Sequence, residues 1–182
     1  EAGGKGRDLF VRMPAGNGFV FGNPRLDWGY NSVAQSSLNG RSLYYPRGKA
    51  LGGSSIVNGM VYMRGVAADY DSWGFDGWSY ANVLPYFRRS EAARDRCDAW
   101  HGSDGPLKTE PARNFGEIDR AFIAAAKSAG HNQVDDFNGP YRTGVARNDS
   151  TVSKGVRQSA AIAYLKRPPR NLTIRTGCQI TQ

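Results

Sequence analysis

The stretch "GKALGGSSIVNGMVYMRG", residues 48–65, sets glycines at positions 48, 52, 53, 59 and 65 around two serines and a short apolar run. Glycine loses more conformational entropy on folding than any other residue, so such a cluster marks sharp turns or backbone brought close to something. A Walker-type phosphate loop needs a lysine directly after its last glycine. Lys49 precedes the Gly52-Gly53 pair instead, and that reading fails. A serine-hydrolase elbow needs Gly-x-Ser-x-Gly, which "GGSSIVNG" does not provide. Two readings remain open on the residues alone. One is a tight turn capped by serine. The other is a backbone cradle, in which Gly52 and Gly53 let the main chain approach a ligand while Ser54 and Ser55 cap a following helix or bond an anionic oxygen.

Outward from this loop the chain alternates short apolar pieces with turns. Upstream, "GFVFGNP" (18–24) and "LDWGYNS" (26–32) read as loops and short strands, and Asn39-Gly40 as a turn before a strand ending at Pro46. Downstream, "ADYDSWG" (68–74) reads as one helical turn. "GWSYANVLPYFRRSE" (77–91) reads as a helix capped by Ser79, with Val83, Leu84 and Phe87 on one face and Pro85 shortening or kinking it. "NFGEIDRAFIAAAKSAG" (114–130) predicts a helix with a capping-box start at Asn114 and Glu117, a core-facing stripe of Ile118, Phe122 and Ala125 or Ala126, and a stop at Gly130. A hairpin is expected from Val145 to Val156 around Ser153-Lys154-Gly155, a helix through "QSAAIAYL" (158–165), and a strand in "NLTIRTGCQIT" (171–181), where Leu172, Ile174 and Thr176 alternate. The fold class expected is mixed α/β.

The 182 residues are 40% apolar, enough for a real core. The 24 Lys and Arg against 16 Asp and Glu give +8, which would attract polyanions, yet no basic run exceeds two residues. The pairs Arg88-Arg89 and Lys166-Arg167 fall near expected helix ends, where cations offset the macrodipole, so no nucleic-acid partner is expected. No apolar stretch approaches the ~18 residues of a membrane span. Cys97 and Cys178 lack metal-ligand spacing, and His101 and His131 read as surface or loop residues, so no metal site is expected.

The run "YYPRGKALGGSSIVNGMVYMRGVAADYDSWG" (44–74) closely resembles the first signature of the glucose-methanol-choline (GMC) oxidoreductase family, and within it the choline-dehydrogenase type of FAD-dependent alcohol dehydrogenase. "EAGG" at the start is similar to the end of that family's second Rossmann strand. "HGSDGPL", "DDFNG", "GVRQSAAIAYL" and "NLTIRTG" resemble its later landmarks. The resemblance implies a fragment of a Rossmann-like FAD-binding domain plus part of a substrate domain. Residues 1–64 would belong to the FAD-binding part, with a flavin-covering loop at 46–64; residues 65–165 to the substrate or cap domain; and 166–182 to a return strand. The family's phosphate fingerprint would precede Glu1, and its catalytic histidine would follow Gln182.

Carried over by residue, the resemblance implies that Glu1 bonds the adenosine ribose and that Ala50, Gly52 and Ser55 line the pyrophosphate and flavin edge. Asn58, Gly59, Met60 and Val61 would pass beside the isoalloxazine ring, and Ile180 would contact the adenine side. No histidine occurs between Lys49 and Arg64, so FAD is expected to be noncovalent. The implied reaction oxidises a small-molecule alcohol, with hydride passing to flavin N5 and then to an unspecified electron acceptor. No catalytic residue is placed in this chain. The expected location is cytoplasmic or peripheral to a membrane. A hydroxynitrile lyase of the same family is the alternative activity, and a basic nucleic-acid module is a third, distinguished by steep salt dependence. Asp69, Asp71 and Trp73 are read as anchors of the turn after the loop.

Overall fold

A computed structural model describes residues 1–96, 98–113 and 115–181. In chain order the elements are α1 (Leu9–Arg12), α2 (Asn17–Val20), β1 (Tyr30–Asn31), β2 (Tyr44–Tyr45), β3 (Val61–Tyr62), α3 (Ala67–Asp71) and α4 (Tyr80–Ser90). They continue with β4 (Glu91–Ala93), β5 (Leu107–Pro111), α5 (Glu117–Ser128), β6 (Asp149–Ser150), β7 (Val152–Ser153), β8 (Val156–Arg157) and α6 (Ala160–Tyr164). The mixed helix-and-strand class expected from the sequence is what forms. The chain divides into two compact units, Glu1–Met60 with Lys154–Gln182, and Val61–Ser153. These boundaries differ from the expected 64 and 165. Residues 154–165 join the first unit because Arg157 is buried there and α6 packs on the turn of 3-10 helix at Gly53–Ile56.

The first unit is built on a small apolar core of Val11, Val20, Leu26, Ala50, Ile56 and Val57. Half of these residues come from the glycine-rich stretch. Around them, β1 and β2 pair antiparallel with Tyr30 opposite Tyr45, and the chain reverses through Asn39 and Gly40, both at positive φ (55° and 74°). That is the primed-turn geometry an Asn-Gly pair favours. Two expectations change here. Residues 17–20 of the aromatic piece are helical rather than strand-like, since Phe21 N–H donates back to the Asn17 carbonyl at 3.3 Å. Residues 171–181 form no regular strand. They run beside the first residues, with Gly177 N–H donating to the Gly3 carbonyl and Cys178 N–H to the Glu1 carbonyl, both at 2.9 Å. With the Glu1 ammonium donating to the Arg175 carbonyl at 3.2 Å these make three separate bonds rather than a paired strand.

The second unit holds a four-stranded sheet in the order β3-β6-β5-β4. Ser150 of β6 stands between Val61 of β3 and Glu110 of β5, while β4 and β5 are parallel with Glu91 opposite Leu107. Helix α4 starts where expected, Ser79 Oγ accepting from Asn82 N–H at 3.4 Å, and runs eleven residues through Pro85. Helix α5 ends as expected before Gly130 (φ 91°), but its start lies at Gly116, whose N–H donates to the Asp119 carboxylate at 2.7 Å. Asn114, the expected cap, lies outside the described residues. The expected core-facing stripe of α5 is also corrected. Ile118 is 86% and Phe122 68% exposed, and among the described residues α5 packs extensively on no other element. The expected hairpin is shorter than 145–156: Val145 instead bridges Gln133, and the reversal comes at Lys154-Gly155, both at positive φ. Among the described residues no helix is long and apolar enough to cross a membrane.

Candidate functional site

The glycine-rich stretch enters along the first residues of the chain. Ala50, fully buried, bridges Gly4, and Leu51 N–H donates to the Gly4 carbonyl at 2.9 Å. The chain then turns, Gly53 N–H donating to the Ala50 carbonyl at 2.8 Å with φ of 106° at Gly52 and 55° at Gly53. Side chains resist that left-handed region. The glycines divide into two kinds. A Cβ on Gly48 would run into the Gly53 carbonyl, and one on Gly3 into the Lys49 carbonyl, so these two let the chain pack on itself. A Cβ on Gly4, Gly53 or Gly59 would meet nothing within 4 Å, so there the backbone faces open space.

The serines close the turn. The Ser55 hydroxyl donates to the Gly52 carbonyl at 2.5 Å and accepts from Ala160 N–H at 2.8 Å, tying the loop to the start of α6. Ser54 Oγ accepts from Gly48 N–H at 3.3 Å. Neither serine caps the turn of helix at Gly53–Ile56; their hydroxyls tie the loop to Gly48 and to Ala160.

Beyond the core residues Ile56 and Val57 the chain makes a second turn. Asn58 Oδ1 accepts from Met60 N–H at 3.2 Å, and Met60 takes φ 62°. Asn58 and Gly59 are exposed. Behind them lies Arg157, at zero exposure, with Nη1 donating to both the carbonyl and the side-chain oxygen of Asn58 at 2.8 Å. Arg157 belongs to the landmark "GVRQSAAIAYL", yet nothing in its sequence surroundings marks it as buried. Val61, the last expected loop residue, lies in the second unit, paired with Ser150.

Glu1 and Ile180, at opposite ends of the chain, line one cavity of about 360 Å³ together with Trp28, Tyr30, Gly48 and Cys178. Glu1 Oε1 accepts from Gly3 N–H at 2.9 Å, and among the described residues Oε2 accepts no hydrogen bond. Trp28 and Tyr30 stack at 5.7 Å with their planes 7° apart, and Lys49 Nζ sits 5.0 Å over the Trp28 ring. A carboxylate oxygen, an aromatic wall and an aliphatic side chain are what a nucleoside needs: an acceptor for its sugar hydroxyls and flat apolar surface for its base.

The interior of the second unit is polar. Arg64 Nη2 donates to Glu91 Oε2 at 2.7 Å with both side chains at most 2% exposed, and Glu91 Oε2 also accepts from Gly102 N–H at 3.0 Å. Asn138 of "DDFNG" bridges the same segment, accepting from Arg64 N–H at 2.9 Å and donating to the Tyr62 carbonyl at 3.1 Å. His101 stands in a loop, as expected, but it is interior rather than at the surface. It is 3% exposed, with Nδ1 3.0 Å from Asp98 and Nε2 3.4 Å from Asp136. His101, Asp136 and Asp149 can bring ligand atoms within 4.8 Å of one another. The Arg96 guanidinium, however, already meets both Asp149 oxygens at 2.9 and 3.1 Å and lies 3.7 Å from Asp136, which puts a fixed cation where a metal ion would sit. The cluster reads as a structural network. His131 is exposed, as expected. Asp69 and Asp71 anchor their turn by accepting from Val66 N–H at 2.7 Å and Tyr80 N–H at 2.8 Å.

The GMC oxidoreductase family model matches residues 29–182. An oxygen-dependent choline dehydrogenase of Photobacterium profundum is 42% identical over 97% of this chain and 32% of its own length. Among solved structures, pyridoxine 4-oxidase from Mesorbium loti superposes with a TM-score of 0.90 at 35% identity, over 97% of this chain and 36% of that one. An FAD-dependent oxidoreductase from Chaetomium thermophilum does so with a TM-score of 0.78 at 28% identity, over 90% and 30%. The chain thus spans about a third of the length of the curated relatives it matches.

Proposed function

Because the chain belongs to the GMC oxidoreductase family, we propose that it is part of an FAD-dependent oxidoreductase acting on the CH–OH group of a small alcohol. The observation that carries this reading is the first unit itself. It joins a nucleoside-sized cavity headed by a carboxylate to a glycine-rich loop whose backbone is open at Gly53 and Gly59. When bound, FAD supplies the two-electron acceptor, and the protein's part is to hold and orient it.

In this reading Glu1 Oε2 accepts from a ribose hydroxyl, with Ile180 and the Trp28–Tyr30 wall beside the adenine. Ala50 and Gly52 bring the backbone to the pyrophosphate and the flavin edge. Ser55 serves there by holding the turn, since its hydroxyl is already bonded on both sides. Asn58, Gly59, Met60 and Val61 lie along the isoalloxazine ring. The first unit is the FAD-binding part, and the second contributes to the substrate side. With no histidine between Lys49 and Arg64, the chain offers this loop no imidazole for a covalent flavin bond.

The test is made on the full-length protein. Purified, it should carry stoichiometric flavin that acid precipitation releases as FAD. Anaerobic addition of an alcohol should bleach the flavin, choline being the first to try given the relatives' names. A folded full-length protein that neither carries nor takes up flavin would overturn the proposal.

A further inference from the structure

Among the described residues Arg157 is the largest fully buried side chain, and the partners of its N–H groups there are neutral oxygens. Nε donates to the Val11 carbonyl at 2.9 Å, and Nη1 to the Ser55 carbonyl at 3.2 Å and to both Asn58 oxygens at 2.8 Å. Nη2 donates to Asn17 Oδ1. Among the described residues no carboxylate comes within 4.0 Å of it. Burial lowers the guanidinium pKa from its usual value, yet arginine remains protonated in proteins. The first unit therefore carries a whole positive charge in its interior without an anion.

Burying an unpaired charge is costly, and neutral donors could bridge carbonyls without it. The charge lies against the Asn58–Met60 turn, whose far side is exposed and open at Gly59. A fixed charge in a poorly screened interior acts strongly on groups nearby. We infer that Arg157 is a positioning residue that fixes this turn and whose uncompensated charge favours negative charge on the group docked against the turn's open face. The inference rests on the reading above, in which that group is the flavin ring. An alcohol that becomes a carbonyl gives up a proton from oxygen and a hydride from carbon, and the hydride leaves one negative charge on the ring. Arg157 exchanges neither proton nor electrons; it stabilises that charge through space.

The experiment measures the flavin midpoint potential of the full-length holoenzyme by equilibration with a reference dye, for wild type, Arg157→Gln and Arg157→Lys, with FAD content and thermal unfolding alongside. Arg157→Gln should shift the reduction equilibrium at least tenfold toward the oxidised form, about 30 mV for a two-electron couple. Arg157→Lys, titrated beside wild type at about pH 5, below the range to which burial lowers an amine, keeps the charge and loses the planar fork. It should unfold at lower temperature yet hold the equilibrium within twofold, roughly 9 mV. A wild-type midpoint in Arg157→Gln overturns the inference. So does a tenfold shift in Arg157→Lys, which decides the matter alone if the Gln variant does not fold. Failure of the flavoprotein reading looks different: the wild-type protein would hold no flavin to titrate.

Discussion

The Asp27 carboxylate is 3% exposed and accepts from Gly22 N–H and Gly29 N–H at 3.0 Å, from Arg47 N–H at 3.1 Å, and from the Tyr44 hydroxyl. Burial pushes its pKa up, but the bonds from Tyr44 and the three backbone groups outweigh it and hold the acid below its ordinary value. A depressed carboxylate contributes stability that is present above the unfolded value near ~3.9 and is lost as pH falls through the folded pKa. Asp27→Asn should therefore cost about 1–3 kcal/mol at pH 7. The gap from wild type should narrow in urea titrations at pH 3, and a gap of equal size at both pH values would contradict this account. Asp27 stands in "LDWGYNS", where no periodicity distinguishes an organising acid from a solvated one. Arg157 hid in the same way. A charged residue reads as surface until its partners are known, and these four stand 99 to 146 positions earlier in the chain.

Elements with local signals were the legible ones. Ser79 caps α4 and Gly130 follows the end of α5, because a cap needs only the residues within one helical turn, whereas Ser159, read inside the helix over 158–165, is the cap of α6. The side to which a stripe faces is a different matter. The spacing of Ile118 and Phe122 specifies a helix with one apolar face, but only another element can bury it, and among the described residues the two side chains stay exposed. The glycine loop permits a sharper test of element against site. Gly48→Ala places a Cβ against the Gly53 carbonyl and should destabilise the first unit by about 1–3 kcal/mol through overpacking. Gly59→Ala adds its methyl to open space, so unfolding should change by no more than ~0.5 kcal/mol. In the full-length protein, FAD affinity should nevertheless fall, since the methyl projects from the turn proposed to line the ring. Equal thermal shifts in the two variants would show that the loop's glycines do not divide as described.

Across the whole chain, the two units are held by different physics. The first closes on six apolar side chains, the second on polar pairs such as the buried Arg64–Glu91 and the half-buried Arg96–Asp149. Large apolar groups stay exposed in both, among them Ile180 at 85% and Phe19 at 61% in the first, and Ile118 at 86% and Tyr141 at 82% in the second. Exposed apolar surface of this kind favours association. Produced by itself, the 182-residue chain should elute from size exclusion above the monomer position and bind a hydrophobic dye; a dye-silent monomer would count against this. The sequence by itself determined the family through residues 44–74, the α/β class, the Ser79 start of α4 and the Gly130 stop of α5, and these two helix ends rest on contacts between near neighbours in the chain. Tertiary structure alone decided that His101 is interior, that the α5 stripe faces out, and that Arg157 is a buried cation behind the Asn58 turn. Periodicity and capping report hydrogen bonds made within a turn, whereas burial and charge pairing depend on which distant segments the chain brings together.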